Sequence, residues 1–114
     1  MPGLPRNERL RKRADFLCIS RLGKKIHTPK FIILWTESPV SAVRIGITVS
    51  GKVGNAVTRN RLKRLIREFY RQNKSLFGPA DYSIIARQGA ACLNFGEVCQ
   101  DLGRALRRHN DQQC

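Results

Sequence analysis

The chain has 114 residues, and its 22 lysines and arginines against 8 aspartates and glutamates give a formal net charge of +14. This length fits one domain with a modest core, and 41% hydrophobic residues is typical of a folded protein. The longest uncharged apolar run, Phe31 to Trp35, is far shorter than the roughly 20 residues of a membrane helix, and the basic start lacks the apolar segment of a secretory signal. A protein of this kind most often binds a polyanion, with nucleic acid favoured over an acidic membrane surface.

Most of the excess charge lies in two segments. Residues 1–30 have a net charge of +7 and residues 58–74 a net charge of +6. Residues 31–57 contribute +1, and residues 75–114 are neutral overall. A charge pattern that served solubility alone would not need this clustering.

The first third of the chain predicts a basic arm, one helix and one strand. Residues 1–12 are expected to form a flexible arm ahead of the single domain. A short helix is predicted over residues 13–22 and ends at Gly23. A basic connector, 24–30, leads to a buried strand over residues 31–36.

The clearest strand is predicted over residues 43–50, after a turn at 37–42. Apolar residues alternate there with small or polar residues, a period of two. The apolar face, expected to point to the core, comprises Val43, Ile45, Ile47 and Val49. The opposite face is open enough for a ligand to approach.

A long helix over residues 56–73 and a last strand over residues 82–86 follow. The final helix begins near Asn94, which forms a capping-box pattern with Glu97. The element order is α-β-β-β-α-β-α, provided that the two earlier strands pair with each other. It also requires a short edge strand near Ile26.

The long helix has two distinct faces. Its apolar stripe, which must pack on the sheet, comprises Leu62, Leu65, Ile66, Phe69 and Tyr70. Its basic arc comprises Arg59, Asn60, Arg61, Lys63, Arg64, Arg67 and Arg71. Like charges four residues apart repel, and arginine forms bidentate contacts with phosphate, so this arc favours a polyanion as its partner.

This helix lies in a stretch that resembles a known signature. Gly54–Glu68 is similar to the RNR motif of the bacterial ribonuclease P protein subunit family. Further similarity extends to Asp15-Phe16, to Ile45–Ser50 leading into Lys52–Asn55, and to Ile84–Arg87.

The resemblance implies a two-layer α/β sandwich with a mixed sheet of about four strands and a left-handed β-α-β crossover, a fold also found in a ribosomal protein domain. It further implies the protein subunit of a ribonucleoprotein endoribonuclease that removes the 5′ leader of precursor tRNA. The catalytic centre is then expected in the RNA, and Mg²⁺ in the holoenzyme is expected to be bound through that RNA. We expect the protein alone to be monomeric, cytoplasmic and without a cofactor of its own.

The resemblance assigns two sets of binding residues. The set expected to face the catalytic RNA is Lys52, Asn55, Arg59, Asn60, Arg61, Lys63, Arg64, Arg67 and Arg71. The set expected to line a cleft for the leader is Arg13, Phe16, Phe31, Ile33, Arg44, Gly46, Thr48 and Arg87, with Phe16 as a base-stacking platform.

Two positions depart from the family pattern. Ser20 replaces a second aromatic residue four positions after Phe16, and Leu34 occupies a sheet position that is often aromatic. Either Phe16 stacks alone, or Trp35, which lies beside Leu34, turns into the cleft through a strand irregularity. We favour Trp35 as a residue of the core or of the opposite sheet face.

Other function classes fit the sequence less well. The segment from Gly46 to Lys52 has part of a phosphate-loop pattern, but Val53 stands where a magnesium-binding hydroxyl should follow. The eight acidic residues form no cluster that suggests a two-metal nuclease. The four cysteines lack C-x-x-C spacing, so we expect reduced thiols and no dedicated metal site. A DNA-binding regulator and a basic ribosomal protein remain the alternatives.

Overall fold

The computed structural model describes residues 8–10, 13–37 and 42–113, apart from the side chains of residue 22 and of residues 109–113. The elements in chain order are α1 (Arg13–Leu22), β1 (Lys24–His27), β2 (Phe31–Glu37), β3 (Arg44–Thr48), α2 (Ala56–Gln72), β4 (Ala80–Ala86) and α3 (Phe95–Gln113). Short 3-10 turns lie at Lys74–Leu76 and Gln88–Cys92. The predicted element order is confirmed, including the edge strand near Ile26.

The four strands form one mixed sheet in the order β1-β2-β4-β3. β4 is antiparallel to β2 and parallel to β3. The predicted pairing of β2 with β3 is therefore wrong, because β4 lies between them. The parallel pairing follows from α2, which brings the chain back to the starting end of the sheet before β4 begins.

The main core lies between the sheet and the two long helices. Phe31 and Ile33 of β2 lie in it together with Ile45 of β3, and Trp35 packs against it. On α2, the predicted apolar stripe is confirmed: Leu62, Ile66, Phe69 and Tyr70 are buried, and Leu65 packs against the core. The aromatic rings of Phe69, Tyr70 and Tyr82 surround Phe77 in edge-to-face contacts.

A smaller cluster lies on the opposite face of the sheet, under α1. Leu10, Ile19 and Leu34 are its buried members, and Phe16 packs beside them. This cluster fixes α1 across one end of the sheet.

Residues 8–10 of the predicted arm contact the domain. The backbone N–H of Leu10 donates to the carbonyl of Ile45, and the hydroxyl of Tyr70 donates to the carboxylate of Glu8. The remainder of the predicted arm and most of the turn at 37–42 lie outside the described residues. Among the residues that the structure describes, no helix has the length and apolar character needed to cross a membrane.

Candidate nucleic-acid interface

The basic arc of α2 forms a surface opposite the buried stripe, which we call the basic surface of α2. Its side chains differ in whether they already form hydrogen bonds within the protein. Arg64 is exposed, Arg67 and Lys63 are partly exposed, and within the described part of the chain none of the three has a hydrogen-bond acceptor. Cationic side chains without an acceptor in the protein are available to phosphate oxygens.

Three of the residues predicted to face RNA have contacts within the protein. Asn55 is the N-cap of α2, and its side-chain oxygen accepts from the N–H of Thr58 at 2.9 Å. Arg61 donates to the carbonyl of Leu93 at 2.6 Å, which ties α2 to the start of α3. Arg71 forms an ion pair with Glu68, and this pair lowers the pKa of the Glu68 carboxyl.

The opposite sheet face forms a cleft beside α1. The aromatic ring of Phe16 lies directly over Gly46, where an added Cβ would come within 2.5 Å of the ring. Only glycine leaves room for the ring at this place. Gly46, Ser83 and Leu34 are neighbours in register, so they form the row of the sheet that α1 covers.

The next row of the sheet is only partly covered. It consists, from β3 to β1, of Thr48, Ile85, Ile32 and His27. Thr48 and His27 are exposed, whereas the two isoleucines are partly buried. This row is the floor of the cleft, and Phe16 stands at its side.

Two residues predicted to line the cleft are elsewhere. Phe31 and Ile33 are 0% exposed in the main core, so their placement in the cleft is wrong. Their neighbours Ile32 and Leu34 lie on the opposite face of the sheet, with Leu34 buried in the small cluster and Ile32 packed against it. The run from Phe31 to Trp35 is apolar at every position, which hides the period of two that would have distinguished the faces.

Ile32, Ile85 and His27 are cleft-floor residues that the sequence did not predict. Ile85 lies within the Ile84–Arg87 stretch, and its place beside Thr48 depends on the register of β3 with β4. Trp35, in contrast, lies on the core side as predicted, with the Lys24 ammonium 5.2 Å from the centre of its ring.

Arg44 is engaged in an ion-pair network. Its Nε and one terminal nitrogen donate to the buried carboxylate of Asp81 at 2.8 and 2.6 Å, and the other terminal nitrogen lies 3.4 Å from Asp15. The hydrogen bonds to Asp81 raise the pKa of the Arg44 guanidinium. Arg44 thus fastens α1 to the sheet next to Phe16, with little of its charge left for a leader phosphate.

Two further residues predicted to line the cleft are exposed. Arg13 is exposed at the start of α1. Arg87 follows β4 at the rim of the cleft, and one of its nitrogens donates to the carbonyl of Thr28 at 3.1 Å. Lys52, predicted to face the catalytic RNA, is exposed in the loop between β3 and α2. An apolar floor with one aromatic ring and an arginine at its rim is an arrangement suited to single-stranded nucleic acid.

Comparison with known proteins agrees with this geometry. The ribonuclease P family profile matches residues 4–110. The ribonuclease P protein component of Geotalea uraniireducens is 52% identical over 104 residues, covering 91% of this chain and 92% of the relative. That of Bacillus velezensis is 37% identical over 106 residues, covering 92% and 91%.

Solved structures give the same result. The ribonuclease P protein of Staphylococcus aureus superposes with a TM-score of 0.83 at 34% identity, covering 90% of this chain and 94% of that one. The Thermotoga maritima protein superposes with a TM-score of 0.80 at 36% identity, covering 89% and 96%. The chain belongs to the ribonuclease P protein family, and it is the protein subunit of the ribonucleoprotein that processes the 5′ end of tRNA.

Proposed function

We propose that the two faces described above divide the work of the subunit. The basic surface of α2 binds the ribonuclease P RNA, and the cleft beside α1 binds the 5′ leader of precursor tRNA. The first assignment is supported by the two sides of α2. Lys63, Arg64 and Arg67 are accessible to solvent on one side, whereas the opposite side is buried in the core. The second is supported by the Phe16 ring beside an open sheet row.

The cleft binds the leader chiefly by stacking and charge. A leader base lies against the Phe16 ring, which Gly46 and the contact of Asp15 with Arg44 hold in place. The apolar floor of Ile32 and Ile85 excludes water beneath the strand. Arg87 at the rim meets the backbone phosphates. None of these contacts reads base edges, so the cleft tolerates many leader sequences.

The catalytic centre of the holoenzyme lies in the RNA. Within the described ranges, no three His, Cys, Asp or Glu side chains form a group that could hold a metal ion. Asp15 and Asp81 are engaged by Arg44, and Glu8 by Tyr70 and Lys74. We propose that the Mg²⁺ ions of the reaction are bound through the RNA and that the protein reduces the repulsion between two polyanions.

Processing at low magnesium tests this division directly. The protein should restore 5′ processing of precursor tRNA by the ribonuclease P RNA at a Mg²⁺ concentration where the RNA alone is slow. Light scattering of the protein alone should give the mass of a monomer. Absence of stimulation, together with tight binding to duplex DNA, would contradict the proposal and favour the DNA-binding alternative.

Replacing Phe16 with alanine tests the leader cleft. Loss of stacking should weaken holoenzyme binding of leader-bearing precursor by roughly 1–3 kcal/mol and leave binding of mature tRNA unchanged. Equilibrium binding of the two RNAs measures the difference. An equal loss for both would show that Phe16 acts through the small cluster under α1 rather than on the leader.

Replacing Arg64 with alanine tests the RNA-binding surface of α2. Removal of one exposed guanidinium should weaken binding of the ribonuclease P RNA by roughly 1.5–3 kcal/mol and reduce the slope of log K against log salt by about 0.7–0.9. Arg71→Ala is the matched control, because Arg71 is already paired with Glu68 and should lose less. Equal losses in the two variants would argue against a specific α2 contact.

A further inference from the structure

The last residue of the cleft floor is His27, on the edge strand β1. His27 also lines a second depression, which lies between α3 and the turn from β1 to β2. This α3 groove has a volume of about 190 Å³. Since one water occupies roughly 30 Å³, the groove can hold a phosphate group with part of its sugar.

The groove presents unpaired positive charge. Arg104 and Arg108 both line it, one turn apart on α3, and both are exposed. Among the residues that the structure describes, neither guanidinium has an acceptor. Two cations spaced four residues apart repel each other, and a phosphate between them removes that repulsion.

The rest of the lining selects a nucleotide over a simple anion. Asp101 accepts a hydrogen bond from the hydroxyl of Thr28 at 2.6 Å and places a carboxylate beside the two arginines. A carboxylate accepts a hydrogen bond from a ribose 2′-hydroxyl, a group that a free phosphate ion lacks. Ile26 and Ala105 supply apolar walls.

Thr28 connects the groove with the cleft. The carbonyl of Thr28 accepts from Arg87, at the rim of the cleft, while its hydroxyl holds Asp101 in the groove. Phe16 lies over β3 and the groove opens at β1, three strand spacings away, which is roughly 14 Å. A single strand that crosses the sheet from Phe16 along the floor row reaches His27 at the sheet edge. From there it turns around β1 to the α3 side of the sheet, where the groove lies.

We propose that the α3 groove binds one nucleotide of the 5′ leader, beyond those that lie over the sheet, with its phosphate between Arg104 and Arg108. The inference rests on the proposed leader cleft and extends it around the edge strand. The proposal predicts that affinity for the precursor increases with leader length. A separate increase in affinity should occur once the leader is long enough to pass β1.

The test uses the holoenzyme and a series of precursors from leaderless to long-leader tRNA. The variant is Arg104→Ala with Arg108→Ala. Its control is Arg107→Ala, an exposed arginine of the same helix that does not line the groove. In the double variant, long-leader precursor should bind about tenfold more weakly, the loss expected for a charge-assisted hydrogen bond to phosphate, and the salt slope should fall by about 0.7 per lost contact. Short-leader precursor should bind as with the wild type, and Arg107→Ala should behave as the wild type throughout.

Other outcomes would overturn the groove proposal. Unchanged long-leader binding in the double variant would do so, as would an equal loss for all precursors, which would place the arginines on the ribonuclease P RNA. An equal loss of binding with Arg107→Ala would show that the effect comes from the overall positive charge of α3 and not from the groove. Failure of the cleft itself has a different signature: wild-type affinity would not depend on the leader at all, and Phe16→Ala would have no leader-specific effect.

Discussion

At the scale of single residues, the absence of a side chain at Gly46 determines the shape of the cleft. Gly46 lets the Phe16 ring lie on the backbone of β3, and the neighbouring Arg44 holds Asp15, the residue before Phe16. The sequence identified Phe16 and Gly46 as members of one cleft. Their direct contact depends on where α1 crosses the sheet, which no local pattern states.

Gly46→Ala should displace the ring of Phe16. The added Cβ would lie 2.5 Å from the ring, so overpacking should lower the free energy of unfolding by about 1–3 kcal/mol and weaken the binding of leader-bearing precursor. Denaturant unfolding and the leader-dependent binding assay measure the two effects. Gly51→Ala is the control, because a Cβ there meets nothing within 4 Å. Similar behaviour of the two variants would refute the role of close packing at Gly46.

At the scale of elements, α2 is the part of the molecule that sequence periodicity predicted best. Its observed bounds, Ala56–Gln72, differ from the predicted ones by one residue at the end. The predicted capping box at the start of α3 depends on local hydrogen bonds and is confirmed, because the backbone N–H groups of Asn94 and Glu97 each donate to the other's side chain. In β2, by contrast, the uniform run of apolar residues concealed which side chains face α1.

The two asparagines at the start of α2 should behave differently when each is replaced with alanine. Asn55→Ala removes the N-cap and should cost about 0.5–2 kcal/mol of folding stability. Asn60→Ala, at an exposed position of the basic surface, should leave stability within about 0.5 kcal/mol while weakening binding of ribonuclease P RNA. Thermal unfolding and RNA titration separate the effects. A stable Asn55→Ala variant would argue against the cap.

At the scale of the whole molecule, residues 8–10 connect distant parts of the fold. Glu8 accepts from Tyr70 near the end of α2, while Leu10 lies in the small cluster under α1. These residues therefore link the proposed RNA-binding helix to the proposed leader cleft. Burial, together with the hydrogen bond to Glu8, raises the pKa of the Tyr70 hydroxyl.

This link predicts a loss of stability in alkali. Because the pKa of Tyr70 is higher in the folded state than the ordinary value of 10.0, its contribution to stability is complete below about pH 10 and is lost as the pH rises above it. Tyr70→Phe should lack this part of the decline and should be less stable than the wild type at neutral pH, because the hydrogen bond to Glu8 is absent. Denaturant unfolding across this pH range measures both. Parallel pH profiles for the two proteins would contradict the role of the Tyr70 hydroxyl.

The sequence by itself determined which segments are helix or strand, which side of α2 is buried, and that the surplus of +14 is concentrated rather than spread. These properties depend on neighbours along the chain, through periodicity, capping and charge spacing. Only the tertiary structure decided that β4 separates β2 from β3. It also decided that Ile32 and Ile85, and not Phe31 and Ile33, face the cleft. Finally, it decided that the guanidinium of Arg44 is bound to Asp81. Each of these depends on strand order and register, which are set by contacts between residues far apart in sequence.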